Sequence, residues 1–374
     1  MENTRTLILF ALFAVLLPGA AFAYGRGTHE GITEATVRTY ETWKGEVFSS
    51  SEEEKIIRGS SAEDDGTRPL QHFYDPINNR GLKVGFEWMS SKYWSQDTEA
   101  QANYCDYGVC QKRLGYDDKL FSSVTDFSWD RAIYEYVYGD KERAFQALGH
   151  VIHLVQDATV PAHVRNDQHL NYDGFGDPDP YEKYSDRFGR GDIAVPQSFT
   201  TPSFPGVAYA VDASADFTSK NFLSEDTLFE KFNLPSKTTA VIRNGFAYHP
   251  IYGHKIARVK ERDGFFVNSS SLRFFIDDWR VLSKEAIQNG IGVIDLFFRE
   301  VEKEKETGAF KKKNVSAAEL NAKNLALKGF SIVKMLYGSS LEQKDVEELV
   351  NGEQAGAVAL TLFRPGPPPI PPEG

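Results

Sequence analysis

The stretch that most restricts this chain is Ala147 to His163, ALGHVIHLVQDATVPAH, because it places three metal-ligating side chains on one helix and its exit. His153 and Asp157 are four residues apart, so on an α-helix they stand one turn apart on one face and can grip the same ion. Leu148, Val151, Val155 and Ala158 recur at helical spacing and predict the buried anchor that a ligand-bearing helix needs. Pro161 predicts the end of the helix, and His163, two residues later, can turn toward the same cavity. An isolated HxxxD is ordinarily a buried pair. Here its company matters, since six of the eight histidines (His29, His72, His150, His153, His163 and His169) lie between residues 29 and 169. Neutral imidazoles with carboxylates are a donor set for zinc, and this many imply more than one ion. His150, one turn before His153, is assigned to packing or to support of the ligands.

Residues 1–23 read as an export signal: Arg5 supplies the charge, Leu7 to Leu17 the apolar run, and Ala21-Phe22-Ala23 the cleavage site. The run is too short to span a bilayer, so the expected product is a secreted or periplasmic protein beginning at Tyr24. Export makes Cys105 and Cys110, in CDYGVC, an expected disulfide. Removing the signal takes away one acid, Glu2, and one base, Arg5, so the balance stays at −11. Charge alone does not draw a polyanion to such a surface, and no long nucleic-acid duplex is expected as a partner. A hydrophobic fraction of 41% is enough for one large core or two small ones.

Along the chain, Thr28 is the expected N-cap of a helix through Ile32, Ala35 and Val37. His29 sits in its first turn, where the amine and carbonyl of Tyr24, once freed, can chelate a metal with it. Asp64 and His72 flank a turn-rich segment suited to delivering two ligands to a shared ion, with Asp64 preferred over Asp65. Residues 126–137 read as a helix, and Asp140 opens the central one, whose core is Ala144–Val160. Asp177-Pro-Asp179-Pro can cap a helix carrying Glu182. Residues 190–280 mix Pro, Gly and aromatics without a clean period and predict loops and short helices, with His249 and His254 structural. Ile287, Ile291, Ile294, Phe298 and Val301 mark a long amphipathic helix, and Ala317 to Tyr337 another. The final PGPPPIPPEG predicts an extended tail. The expected chain is therefore mainly α, with a signal (1–23), one domain (24–337) and a C-terminal extension (338–374).

In order and spacing, these residues resemble the zinc-dependent phospholipase C and single-strand-specific nuclease superfamily, a group of secreted all-α phosphodiesterases. The similarity runs from Tyr24 through His29, Asp64, His72, His153-x-x-x-Asp157 and His163 to Tyr181-Glu182, and the HxxxD-plus-six element is its specific part. It implies an all-α, multi-helix, phospholipase C/nuclease-like fold around a cleft holding three zinc ions. Asp64, His72, His153 and Asp157 would hold one zinc, and Asp157 would bridge to a second on His29 and the terminal amine and carbonyl of Tyr24. The third would take His163, Glu182 and one more ligand. The family usually places a histidine four residues before that acid, where this chain has Pro178; His169 is the chosen substitute, with Asp177 or Asp179 as alternatives. Tyr24 stands where the family usually has Trp. The implied activity is hydrolysis of a phosphodiester by metal-activated hydroxide, with Asp64 also able to accept the proton.

A phospholipase C acting at a membrane surface leads. A single-strand nuclease or nucleotidase is the rival, supported by the five-residue step from Tyr24 to His29. A non-catalytic zinc-binding surface module is the alternative of another class; structural zinc sites are closed by four protein ligands, whereas this mixture leaves room for water.

Overall fold

The computed structural model describes residues 24–84, 86–106, 109–110, 120–167, 179–224, 241–250, 253–260, 264–266 and 275–312. His169, Asp177, the expected 317–337 helix and the proline-rich tail lie outside them. The described chain is mostly helical: α1 (Arg26–Lys44), α2 (Ser50–Ala62), α3 (Ser91–Trp94), α4 (Thr98–Ala102), α5 (Trp129–Tyr138), α6 (Lys141–Asp157), α7 (Pro161–Val164), α8 (Pro180–Ser185), α9 (Val207–Asn221), α10 (Ile276–Thr307) and α11 (Ala309–Lys312).

The starts of several helices are written locally. Ser49 and Glu52 form a reciprocal capping box at α2, Ser128 caps α5, and the Asp140 carboxylate accepts the Glu142 N–H at 2.9 Å to open α6. Thr28 does not cap α1; the helix begins after Gly25, and the Thr28 hydroxyl instead donates to the Ser185 carbonyl at 3.0 Å. The central helix ends at Asp157, four residues before Pro161, which opens α7 at its first turn, where a proline's missing N–H leaves no bond unmade.

α6 is the axis of the molecule. From Ala144 to Asp157 all but Gln146 is buried, and α2, α5 and α10 pack around it. α10 contributes Leu282, Ile287, Ile291, Ile294, Phe297 and Val301 to a single hydrophobic core that begins at Tyr24. The crossing of α2 over α6 is close because both helices present glycine. A methyl group at Gly149 would sit 2.1 Å from the Ile56 carbonyl oxygen, and one at Gly59 would sit 2.1 Å from that of Gln146. The contact brings the end of α2, and Asp64 just beyond it, up to the ligand face of α6.

The described residues between 241 and 266 depart from the expected loops and short helices. They form an antiparallel sheet, β5 (Val241–Arg243), β6 (Phe246–Tyr248), β7 (Lys255–Lys260) and β8 (Gly264–Phe266), in sequential order. Its signal was Asn244-Gly245, whose φ of 49° and 77° close the two-residue hairpin that such a pair favours. Two short hairpins precede it, β1 (Lys83–Val84) with β2 (Phe86–Glu87) and β3 (Cys105–Asp106) with β4 (Val109–Cys110). The second sets Cys105 directly opposite Cys110, a placement compatible with the expected bridge. Among the described residues no helix is long and apolar enough to cross a membrane.

One buried acid makes fold stability depend on pH. Asp126 is fully buried before α5, and burial pushes its carboxyl from 3.8 up to about 6, opposed by the Ser128 N–H and by Arg131. The folded state therefore holds this proton more tightly than the unfolded chain. The contribution is complete below the unfolded value and fades as pH rises through the folded one, by on the order of 3 kcal/mol. Asp126→Asn is expected to raise the melting temperature at about pH 8 and to leave it nearly unchanged at about pH 4. A variant no more stable than wild type at the higher pH would refute this.

Candidate metal centre

Five separate parts of the chain deliver side chains to one buried place. His29 comes from α1, Asp64 from the turn after α2, His72 from the end of a 3-10 turn (Arg68–Gln71), His153 and Asp157 from α6, and His163 from α7. Each is at most 2% exposed, and Glu182 of α8 borders them at 5%.

Asp157 is the centre of the cluster. Its Oδ2 lies 2.8 Å from His72 Nδ1, 3.1 Å from His153 Nε2 and 3.8 Å from His163 Nδ1, and its Oδ1 lies 3.3 Å from His29 Nε2. Asp64 Oδ1 stands 3.7 Å from His153 Nε2 and 3.8 Å from His72 Nδ1. Glu182 Oε1 is 3.5 Å from His163 Nε2, on the far side. Asp65, by contrast, is exposed and ion-paired with Arg26.

The rings are aimed by what lies behind them. His153 Nδ1 donates to the Ser60 carbonyl at 2.6 Å, which leaves the Nε2 lone pair facing the cluster. His29 Nδ1 donates to Gln156 Oε1 at 2.6 Å, and Gln156 donates in turn to Thr33 Oγ1 at 2.8 Å. His163 lies flat against Phe73, ring centroids 4.1 Å apart. Such partners select the tautomer and the ring orientation that a metal ligand needs.

Burial pushes the Asp64 carboxyl well above the usual carboxylate range, Asp157 adding to the effect and His29 opposing it. Burial acts on Asp157 in the same sense, but the imidazoles that face both of its oxygens outweigh it and hold that carboxyl well below the usual range. His153 is pushed down to about 3 by burial, helped by His29 and His72 and opposed by Asp157, so its imidazole is neutral at ordinary pH, as a ligand must be. Both oxygens of Asp64, both of Asp157 and Nε2 of His29 carry no hydrogen bond. Buried polar atoms without partners are costly, and a cation among them removes that cost. The triads His29–Asp64–His153 and His72–His153–Asp157 have ligand atoms within 4.8 Å of one another, so these residues could hold a metal ion.

Tyr24 is fully buried beside them, its ring edge-on to His29 with centroids 5.5 Å apart and its hydroxyl bonded to Thr159 Oγ1 at 2.9 Å and to the Tyr181 hydroxyl at 3.0 Å. Asp179 caps α8, its Oδ1 accepting the N–H of Tyr181 and of Glu182, and so fixes where Glu182 begins. His249 and His254 stack on each other, and His254 also on Phe222, away from the cluster. His150 also points elsewhere: its Nδ1 meets Glu63 Oε2 at 2.5 Å and its ring lies on Phe127. Glu63 and Gln156 are neighbours of the cluster that sequence reasoning passed over. Each adjoins a cluster residue in the chain, Asp64 or Asp157, but nothing in an acidic triplet or a single glutamine marks one as an internal partner.

Compared with known proteins, this chain matches no protein-family model and no curated protein.

Proposed function

We propose that the protein is an exported zinc-dependent hydrolase of phosphodiesters, of phospholipase C type. The observation that supports this best is the convergence of His29, Asp64, His72, His153 and Asp157, with His163 and Glu182 beside them, in one buried cluster where the Asp64 and Asp157 oxygens lack hydrogen bonds. Imidazole nitrogen with carboxylate oxygen suits zinc better than calcium or magnesium, which take oxygen alone. Held by His29, Asp64, His72, His153 and Asp157, zinc would supply a water made acidic enough to act as nucleophile near neutral pH and a positive charge for a phosphoryl oxygen.

The chain's own residues then divide the work. Asp157, ionised and touched by four imidazoles, holds the ligands in register. Asp64 has the raised proton affinity of a general base and is placed to take a proton as a water attacks phosphorus. His163 and Glu182 border the cluster from the side of α8, where a leaving group's developing charge can be met. Ser60 and Gln156 keep two rings oriented throughout.

A single-strand nuclease is the second reading, favoured by the step from Tyr24 to His29. Both are tested by one pair of assays on the processed protein, phosphatidylcholine and single-stranded DNA, before and after chelation. The expected result is release of a phosphorylated head group, lost with chelator and restored by zinc. Cleavage of DNA alone would move the assignment to the nuclease, and zinc binding with neither activity would leave a non-catalytic module.

A further inference from the structure

We infer that Glu63 is a positioning residue of the metal centre: its carboxylate backs His72 from outside the cluster and holds that ring with its Nδ1 facing the metal position. The inference rests on the reading of the cluster as a zinc site.

The two nitrogens of His72 face opposite ways. Nδ1 looks into the cluster, 2.8 Å from Asp157 Oδ2 and 3.2 Å from His153 Nε2. Nε2 looks out and stands 3.8 Å from Glu63 Oε1, with no hydrogen bond of its own. A neutral imidazole that ligates through Nδ1 carries its proton on Nε2, and buried in this way that N–H requires an acceptor. Glu63 Oε1 faces it, one small ring movement away.

Glu63 itself is fully buried and immobilised. Oε2 accepts from Arg68 Nε at 2.8 Å and Nη2 at 2.6 Å and meets His150 Nδ1, while Oε1 accepts from Trp94 Nε1 at 2.7 Å. Arg68 in turn packs over the Trp94 ring at 5.0 Å. Donors from three residues on one carboxylate leave it little freedom to swing, so the frame transmits its position to His72. Glu63 also directly precedes Asp64, and one anchored side chain therefore sets two ligands of the same site.

The experiment uses the processed full chain loaded with zinc alone. Release of zinc to a chromogenic chelator is expected to be roughly 10–100 times faster from Glu63→Gln than from wild type. In a His72→Ala background the same change is expected to alter release by no more than about twofold, because the residue through which Glu63 acts is gone. A second measurement needs no variant: nitrogen-15 spectra of histidine-labelled, zinc-loaded wild type should show His72 protonated at Nε2. Unchanged release from Glu63→Gln, an equal effect without His72, or an Nδ1-protonated His72 would each overturn the inference. Wild-type protein that takes up no zinc would overturn it together with the site reading. Zinc uptake without phosphodiester cleavage would remove the proposed activity and leave the role of Glu63 standing.

Discussion

Asp157→Ala is expected to lose more than one equivalent of zinc and essentially all hydrolytic activity, whereas His249→Ala should lose neither. The asymmetry comes from geometry. Oδ1 of Asp157 faces His29 and Oδ2 faces His72 and His153, so the two oxygens address different groups of imidazoles. Removing the side chain deprives both groups of their shared anion and leaves Asp64, farther from His72 and His153 than Asp157 is, as the carboxylate facing them. His249 instead stacks on His254 beside the sheet. Elemental analysis of the purified, processed variants decides the matter. An unchanged zinc count in Asp157→Ala would end the bridging role.

Retaining even one residue ahead of Tyr24 is expected to reduce zinc by about one equivalent and nearly abolish activity. An amide nitrogen has no lone pair to donate, whereas a free α-amine has. The structure adds a reason why this terminus would be held in place. The Tyr24 hydroxyl is bonded to Thr159 and Tyr181, and the Asp186 carboxylate fills the space beside Gly25, where an added methyl group would come within 2.1 Å of Oδ1. Tyr24 thus lies clamped next to His29. Tyr24→Trp keeps the backbone donors and should keep the zinc count and the activity. It loses the phenol hydrogen bonds and forces a larger ring into a full site, so a stability loss of about 1–3 kcal/mol is expected with it. Activity of a Met-extended form on a chromogenic phosphodiester, equal to that of the processed form, would show that the terminus takes no part in the site.

Much of this site can be read along the chain because helices repeat. A four-residue step puts His153 and Asp157 on one face whatever surrounds them, and the caps of α5 and α6 are local hydrogen bonds that Ser128 and Asp140 make with their own neighbours. Periodic apolar positions likewise identify α10 and its buried stripe. The hairpin at Asn244-Gly245 carried an equally local signal, but it was embedded in an aperiodic stretch that concealed the strands around it.

What the tertiary structure alone decided concerns residues brought together from a distance. Asp64 and Asp65 are neighbours that local pattern separates by only a modest margin. They separate only because α2 meets α6 through Gly59 and Gly149, which turns Asp64 inward and leaves Asp65 with Arg26. The partners behind these rings come from other elements than the rings themselves: Ser60 of α2 for His153 of α6, Gln156 of α6 for His29 of α1, and Glu63 after α2 opposite His72. Local pattern determines which face a side chain occupies. Whether that face meets water, a hydrophobic ring or another ligand is set by long-range packing, and it is this packing that buries the carboxylates and opposes their charge.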